Sequence, residues 1–111
     1  MRLLGYLTTD PVNATTAEAL AAQHGVDLQI VEPRDLPRLE AERIDLVLDW
    51  DFIPEDYRAK LLNGTAVNVV AIHGYGLSDS LASFLPRRGI LCGPRLDQHF
   101  LQALTGKDNA A

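Results

Sequence analysis

Ile44-Asp45-Leu46-Val47-Leu48-Asp49-Trp50, followed by Asp51-Phe52-Ile53-Pro54, is the stretch whose reading decides the fold. Its first seven residues are nearly all apolar, as expected of a central parallel strand buried on both faces. Pro54 suits the first turn of a following helix, where a missing N–H does no harm. That helix is expected to carry Tyr57, Leu61 and Leu62, and Asn63-Gly64 to close it.

The same alternation of short aliphatic runs and helical stretches extends in both directions. Towards the N-terminus, Arg2 to Leu7 reads as a first strand ending at Thr8-Thr9-Asp10-Pro11. Thr15 with Glu18 forms a capping-box pattern ahead of Ala19, Leu20 and Ala22, and Gly25 stops that helix. Asp27 to Val31 reads as the second strand. A short helix over Leu36 to Arg43 follows, with Pro37 in its first turn.

Towards the C-terminus, Ala66 to Ile72 is a fourth strand and His73-Gly74-Tyr75-Gly76 a turn. Leu77, Leu81, Phe84 and Leu85 make the stripe of the next helix, which Pro86 ends. Ile90 to Cys92 is a short fifth strand. The last helix carries Leu96, Phe100, Leu101 and Leu104, and Gly106 releases a polar tail, 107–111, expected to be disordered. Strands joined by right-handed helical crossovers predict a doubly wound α/β domain over 1–106, with a five-stranded parallel sheet in the order 2-1-3-4-5.

Composition supports one such domain. The chain has 111 residues, 47% hydrophobic and 23% charged, ordinary globular usage with room for one core. The longest apolar stretches are strand-sized, so no membrane span is expected, and the opening residues lack a signal-peptide pattern, which points to the cytoplasm. Cys92 is the single cysteine and the three histidines are scattered, so neither a disulfide framework nor a zinc site is expected. A net charge of −5, with Arg87-Arg88 the one adjacent basic pair, argues against direct nucleic-acid binding. No cofactor is indicated.

In an open parallel sheet, ligands gather beyond the carboxyl ends of the strands, near the point where strand order reverses. That rim should be built from Thr8, Thr9 and Asp10 after the first strand and Asp49, Trp50 and Asp51 after the third. His73 and Gly74 follow the fourth strand and Gly93 the fifth.

Two segments carry a resemblance that spans almost the whole chain. Asp45-Leu46-Val47-Leu48 with Pro54 beyond it, and Leu91-Cys92-Gly93-Pro94 with Leu101 and Leu104 behind it, resemble the third strand and the last turn and helix of bacterial response-regulator receiver domains. Leu3 to Pro11 is similar to that family's first strand. The resemblance implies a flavodoxin-like, receiver-like fold, and the departures fall on the chemistry. Counted back from Pro54, the phosphoacceptor position falls on Trp50. Thr8 and Thr9 stand where metal-binding carboxylates would, leaving Asp10; His73 replaces the strand-four hydroxyl, Gly93 the lysine and Ile90 the aromatic switch. Phosphoryl transfer depends on metal and positioned positive charge, so such a chain is expected to be a pseudo-receiver and not an enzyme.

The expected function is phosphorylation-independent signalling by protein contact, with a protein partner or a second copy. One alternative is a sensor binding an anion or nucleotide over Thr8, Asp10, His73 and Gly74. A further alternative is an active receiver in which a bulge makes Asp51 the acceptor, with Asp10, Asp49 and Asp51 as metal ligands. Otherwise Asp49 and Asp51 are read as solvent-facing caps of the following helix.

Asp49-Trp50-Asp51 also resembles the paired aspartates of haloacid dehalogenase-class phosphatases, whose later lysine and acidic elements have no counterpart here. His73 is placed for a general base, but without a paired nucleophile it reads as a hydrogen-bonded structural residue. Gly74-Tyr75-Gly76 lacks the third glycine of a dinucleotide fingerprint and reads as a tight turn capped by Ser78. Trp50 is either an exposed contact anchor or a filler of the emptied pocket. Cys92 reads as a small buried apolar group.

Overall fold

The computed structural model describes residues 3–42, 44–62, 68–75 and 91–106. Within them, β1 (Leu4–Leu7), β2 (Leu28–Val31), β3 (Asp45–Asp49), β4 (Asn68–His73) and β5 (Leu91–Gly93) form one parallel sheet in the order β2-β1-β3-β4-β5. The described helices are α1 (Pro11–Gln23), α2 (Leu36–Glu42), α3 (Glu55–Leu62) and α4 (Gln98–Gly106). This is the flavodoxin-like order expected from the sequence. The expected helix of Leu77 to Leu85, the caps at Gly64 and Ser78, Arg87-Arg88, Ile90 and the tail lie outside the described residues.

Side chains alternate across a strand, so each strand feeds two cores. Leu7, Leu46, Leu48 and Ile72 pack with Leu36 and Leu39 of α2 and Leu61 of α3. Leu4, Tyr6, Val47 and Ala71 pack with Ala17 of α1 and with Phe100 and Leu104 of α4. The period of two therefore sends Thr8, Asp49 and His73, the last residues of the second set, towards the α1/α4 side.

Register completes that alignment. Leu46 pairs with Val69, but Val47 pairs with Ala71, so β4 carries one extra residue. The bulge brings His73, and not Ile72, alongside Asp49. It leaves Asp49 as the last residue of β3, with Trp50–Phe52 in a 3-10 turn beyond it.

Local signals differ from expectation at the first helix. It begins at Pro11, and Asp10 is its N-cap, accepting the backbone N–H of Asn13 at 3.0 Å. Thr15, expected as a cap, lies inside the helix and donates to the Pro11 carbonyl. A capping-box pattern there lost to a better cap, since Asp10 is followed by a proline that needs no partner for its nitrogen. Gly25 ends the segment as expected, with a φ of +68° in the left-handed region. Among the described residues no helix is long and apolar enough to cross a membrane.

Candidate functional site

At the carboxyl edge the α1/α4 face closes with a polar cluster. Asp49 is 2% exposed, and its Oδ2 accepts hydrogen bonds from Thr8 Oγ1 and Asn13 Nδ2, both at 2.8 Å. Thr8 Oγ1 in turn accepts the backbone N–H of Asp10 at 3.0 Å. Two neutral donors thus hold a buried carboxylate, the arrangement that makes burial of such a group tolerable.

His73 stands beside it. Its Nε2 lies 2.7 Å from the Tyr6 hydroxyl and 3.9 Å from Asp49 Oδ1. The imidazole stacks on Tyr6 with centroids 5.5 Å apart and planes 8° from parallel. Phe100 of α4 meets it edge-on at 5.8 Å and 74°. Burial holds the His73 pKa below its ordinary value, opposed by the charges of Asp49 and Asp51. The Tyr6 hydroxyl is pushed well up by burial and by the charges of Asp49 and Asp10. At neutral pH the cluster therefore contains a neutral phenol and a neutral imidazole.

Above the cluster opens a cleft of about 520 Å³, lined by Tyr6, Asn13, Thr16, Asp49, Asp51, Phe52, His73, Tyr75, Pro94, Arg95 and Leu96. Two of its walls are exposed aromatics, Phe52 at 42% and Tyr75 at 75%. Arg95 contributes a cation, engaged by Asp97 at 3.2 Å.

The expected rim residues divide. Thr8, Asp49 and His73 meet in the cluster. Asp51 joins the cleft wall, its Oδ2 accepting the Tyr75 N–H at 2.7 Å. Asp10 is next to the cluster, but its carboxylate is spent on capping α1. Thr9 donates to the Phe52 carbonyl at 2.6 Å, tying the β1 end to the 3-10 turn. Gly74 and Gly93 are close approaches: a Cβ on Gly74 would meet Trp50 and the Asp51 carboxylate, and one on Gly93 would meet the Phe100 ring at 2.8 Å. The two are joined by a 3.0 Å hydrogen bond from Gly74 N to the Gly93 carbonyl.

Three expectations are corrected. Asp49 and Asp51 are not solvent-facing helix caps, because strand alternation turns Asp49 into the α1/α4 side and Tyr75 ties down Asp51. Asp51 is not carried to the strand end either, since the bulge lies on β4 and leaves β3 in step. Trp50 is neither an exposed anchor nor a filler of the crevice. One residue beyond Asp49, its indole falls on the opposite face, 5% exposed in the α2/α3 core, with the Arg58 guanidinium 5.4 Å from its ring. Counting from Pro54 misplaced the strand end by one residue because the 3-10 turn lengthens the connection.

Tyr6, Asn13, Phe52, Tyr75 and Phe100 were missed. Tyr6 was detectable, lying two residues before Thr8 and hence on its face; Asn13 was not, because the capping-box pattern starts the helix at Thr15 whereas α1 begins at Pro11. The spacing of the last helix marks Phe100 only as core. Cys92 is half-buried beside the α2/α3 core, its thiol pushed up by burial, in keeping with an apolar role. Among the described residues no group of three or more His, Cys, Asp or Glu is arranged to hold a metal. No protein-family model, curated protein or solved structure matches this chain.

Proposed function

We propose that this chain is a receiver-like module that signals by contact through its carboxyl rim, without phosphoryl transfer. The observation that carries the reading is a sealed carboxylate under an apolar rim. Asp49 occupies the strand end, but it is 2% exposed and its Oδ2 is taken by Thr8 and Asn13. An acceptor needs an open oxygen, and transfer needs positioned positive charge, whereas Thr8, Thr9 and Gly93 supply none.

Of Val12, Phe52 and Tyr75, the exposed large hydrophobics among the described residues, Phe52 and Tyr75 line the crevice, and Val12 lies in the first turn of α1 beyond β1. Apolar and aromatic groups clustered in this way favour contact with another protein. The partner is a second signalling protein, since a net charge of −5 opposes pairing of two copies.

A photocrosslinking residue placed at Tyr75 or Phe52 in cells tests the reading, with Glu40 on α2 as control. A discrete adduct from the two rim positions and none from Glu40 is expected. Equal labelling from all three removes the rim as the contact face, and an adduct of twice the chain's mass makes the partner a second copy.

The cleft itself favours a second reading, a small-ligand sensor. The Asp51 carboxylate on its wall, with the buried charge of Asp49 beneath, opposes phosphates and nucleotides, so the fitting ligand is neutral or cationic. A thermal-shift screen separates the two ligand classes: a rise with amines and none with phosphates supports this reading, whereas the reverse supports an anion sensor.

A further inference from the structure

We propose that His73 is a proton-operated latch on the docking of α4: when the imidazole takes up a proton, the Phe100 contact loosens and the last helix opens. The side chain is 4% exposed and clamped between two rings, Tyr6 stacked below and Phe100 edge-on from α4. Among the described residues, the titratable groups facing it are Tyr6 from β1, Asp49 from β3 and Asp51 from the turn beyond; α4 offers only the Phe100 ring.

A proton on this ring creates a buried charge whose nearest carboxylate, Asp49, stands at ion-pair distance but is not hydrogen-bonded to it. Asp49 Oδ1 is 3.9 Å from Nε2, beyond hydrogen-bond reach, and Oδ2 of the same carboxylate is already engaged by Thr8 and Asn13. The Tyr6 hydroxyl at 2.7 Å is a neutral partner. The imidazolium therefore gains most by reaching water.

The walls differ in how easily they give way. Tyr6 and Asp49 stand on β1 and β3, each hydrogen-bonded to a strand on both sides. Phe100 stands on a nine-residue helix, shorter than the ~12–15 residues needed for marginal stability alone, and held to the sheet by side-chain packing. Its ring rests on Gly93, whose lack of a Cβ permits the approach. Among the described elements, opening α4 hydrates His73 at the smallest loss of structure, and it moves Pro94, Arg95 and Leu96, which form one wall of the cleft. The crevice would thus change shape with pH.

The test uses the isolated chain and no partner, so its outcome is independent of the contact reading. NMR follows the His73 ring shifts and the exchange protection of α4 amides, corrected for intrinsic exchange, as pH is lowered. Below about pH 6.5, where the ring of an opened His73 titrates, α4 protection should fall by up to about tenfold per pH unit while β1 and β3 amides hold. In His73→Phe, which keeps a ring but cannot titrate, α4 protection should not change with pH. If that variant does not fold, the wild-type titration alone decides.

Protection of α4 that tracks β1 at every pH overturns the latch, as does equal opening in His73→Phe. So does a His73 that titrates at the ordinary histidine value with α4 unmoved.

Discussion

The two faces of the sheet end differently at the same edge. On the α2/α3 side the apolar core runs past the strand end to Trp50, capped by the Arg58 guanidinium. On the α1/α4 side it stops one residue earlier and gives way to Tyr6, Thr8, Asn13, Asp49 and His73. Asp49 and Trp50 are neighbours in sequence and belong to different environments, because strand alternation sends one up and the next down. The lesson is a division of labour: one face supplies stability to the rim and the other presents polar chemistry beneath a cleft.

Substitutions should sort by face. Trp50→Ala empties a large buried site and should lower unfolding free energy by about 3–5 kcal/mol in a denaturant titration; a loss below about 1 kcal/mol would place the indole outside the core. Asp49→Ala strands the Thr8 and Asn13 donors and should cost about 1–3 kcal/mol. Asp10→Ala removes the α1 cap at a cost of about 1 kcal/mol, read in the same titration. Tyr75→Ala, an exposed rim position, should stay within about 0.5 kcal/mol while abolishing the rim crosslink from Phe52, separating contact from stability.

The sign of the pH dependence sharpens the same contrast. His73 has a folded-state pKa below its unfolded one. As pH falls through the unfolded value the denatured chain binds the proton first, so stability declines from there down to the folded value and not above it. Wild type minus His73→Phe, measured by thermal melts across that range, should isolate this decline from carboxylate titration.

Much of this was legible in the sequence, and the misses share a physical cause. The order of the sheet followed from alternating runs and their punctuation, and Thr8, Asp49, His73 and Gly93 were placed at the rim by strand ends alone. What failed was register at single-residue resolution. The 3-10 turn of Trp50–Phe52 ends β3 one residue before the expected place and β4 carries one extra residue, and one residue reverses which face a side chain meets. Both expectations for Trp50, exposed anchor and pocket filler, therefore put it at the rim that Asp49 lines. Asn13 and Phe100 reach the cluster across gaps in the chain that periodicity does not register, since only packing of α1 and α4 on the sheet brings them there.

If the rim signals by contact alone, the strand-end carboxylate is a structural, sealed group. Incubation of the chain with a small-molecule phosphoryl donor and magnesium, followed by intact-mass measurement, tests it most directly. Unmodified chain is expected at every donor concentration. A stoichiometric, base-labile phosphoryl adduct mapped to Asp49 or Asp51 would contradict it.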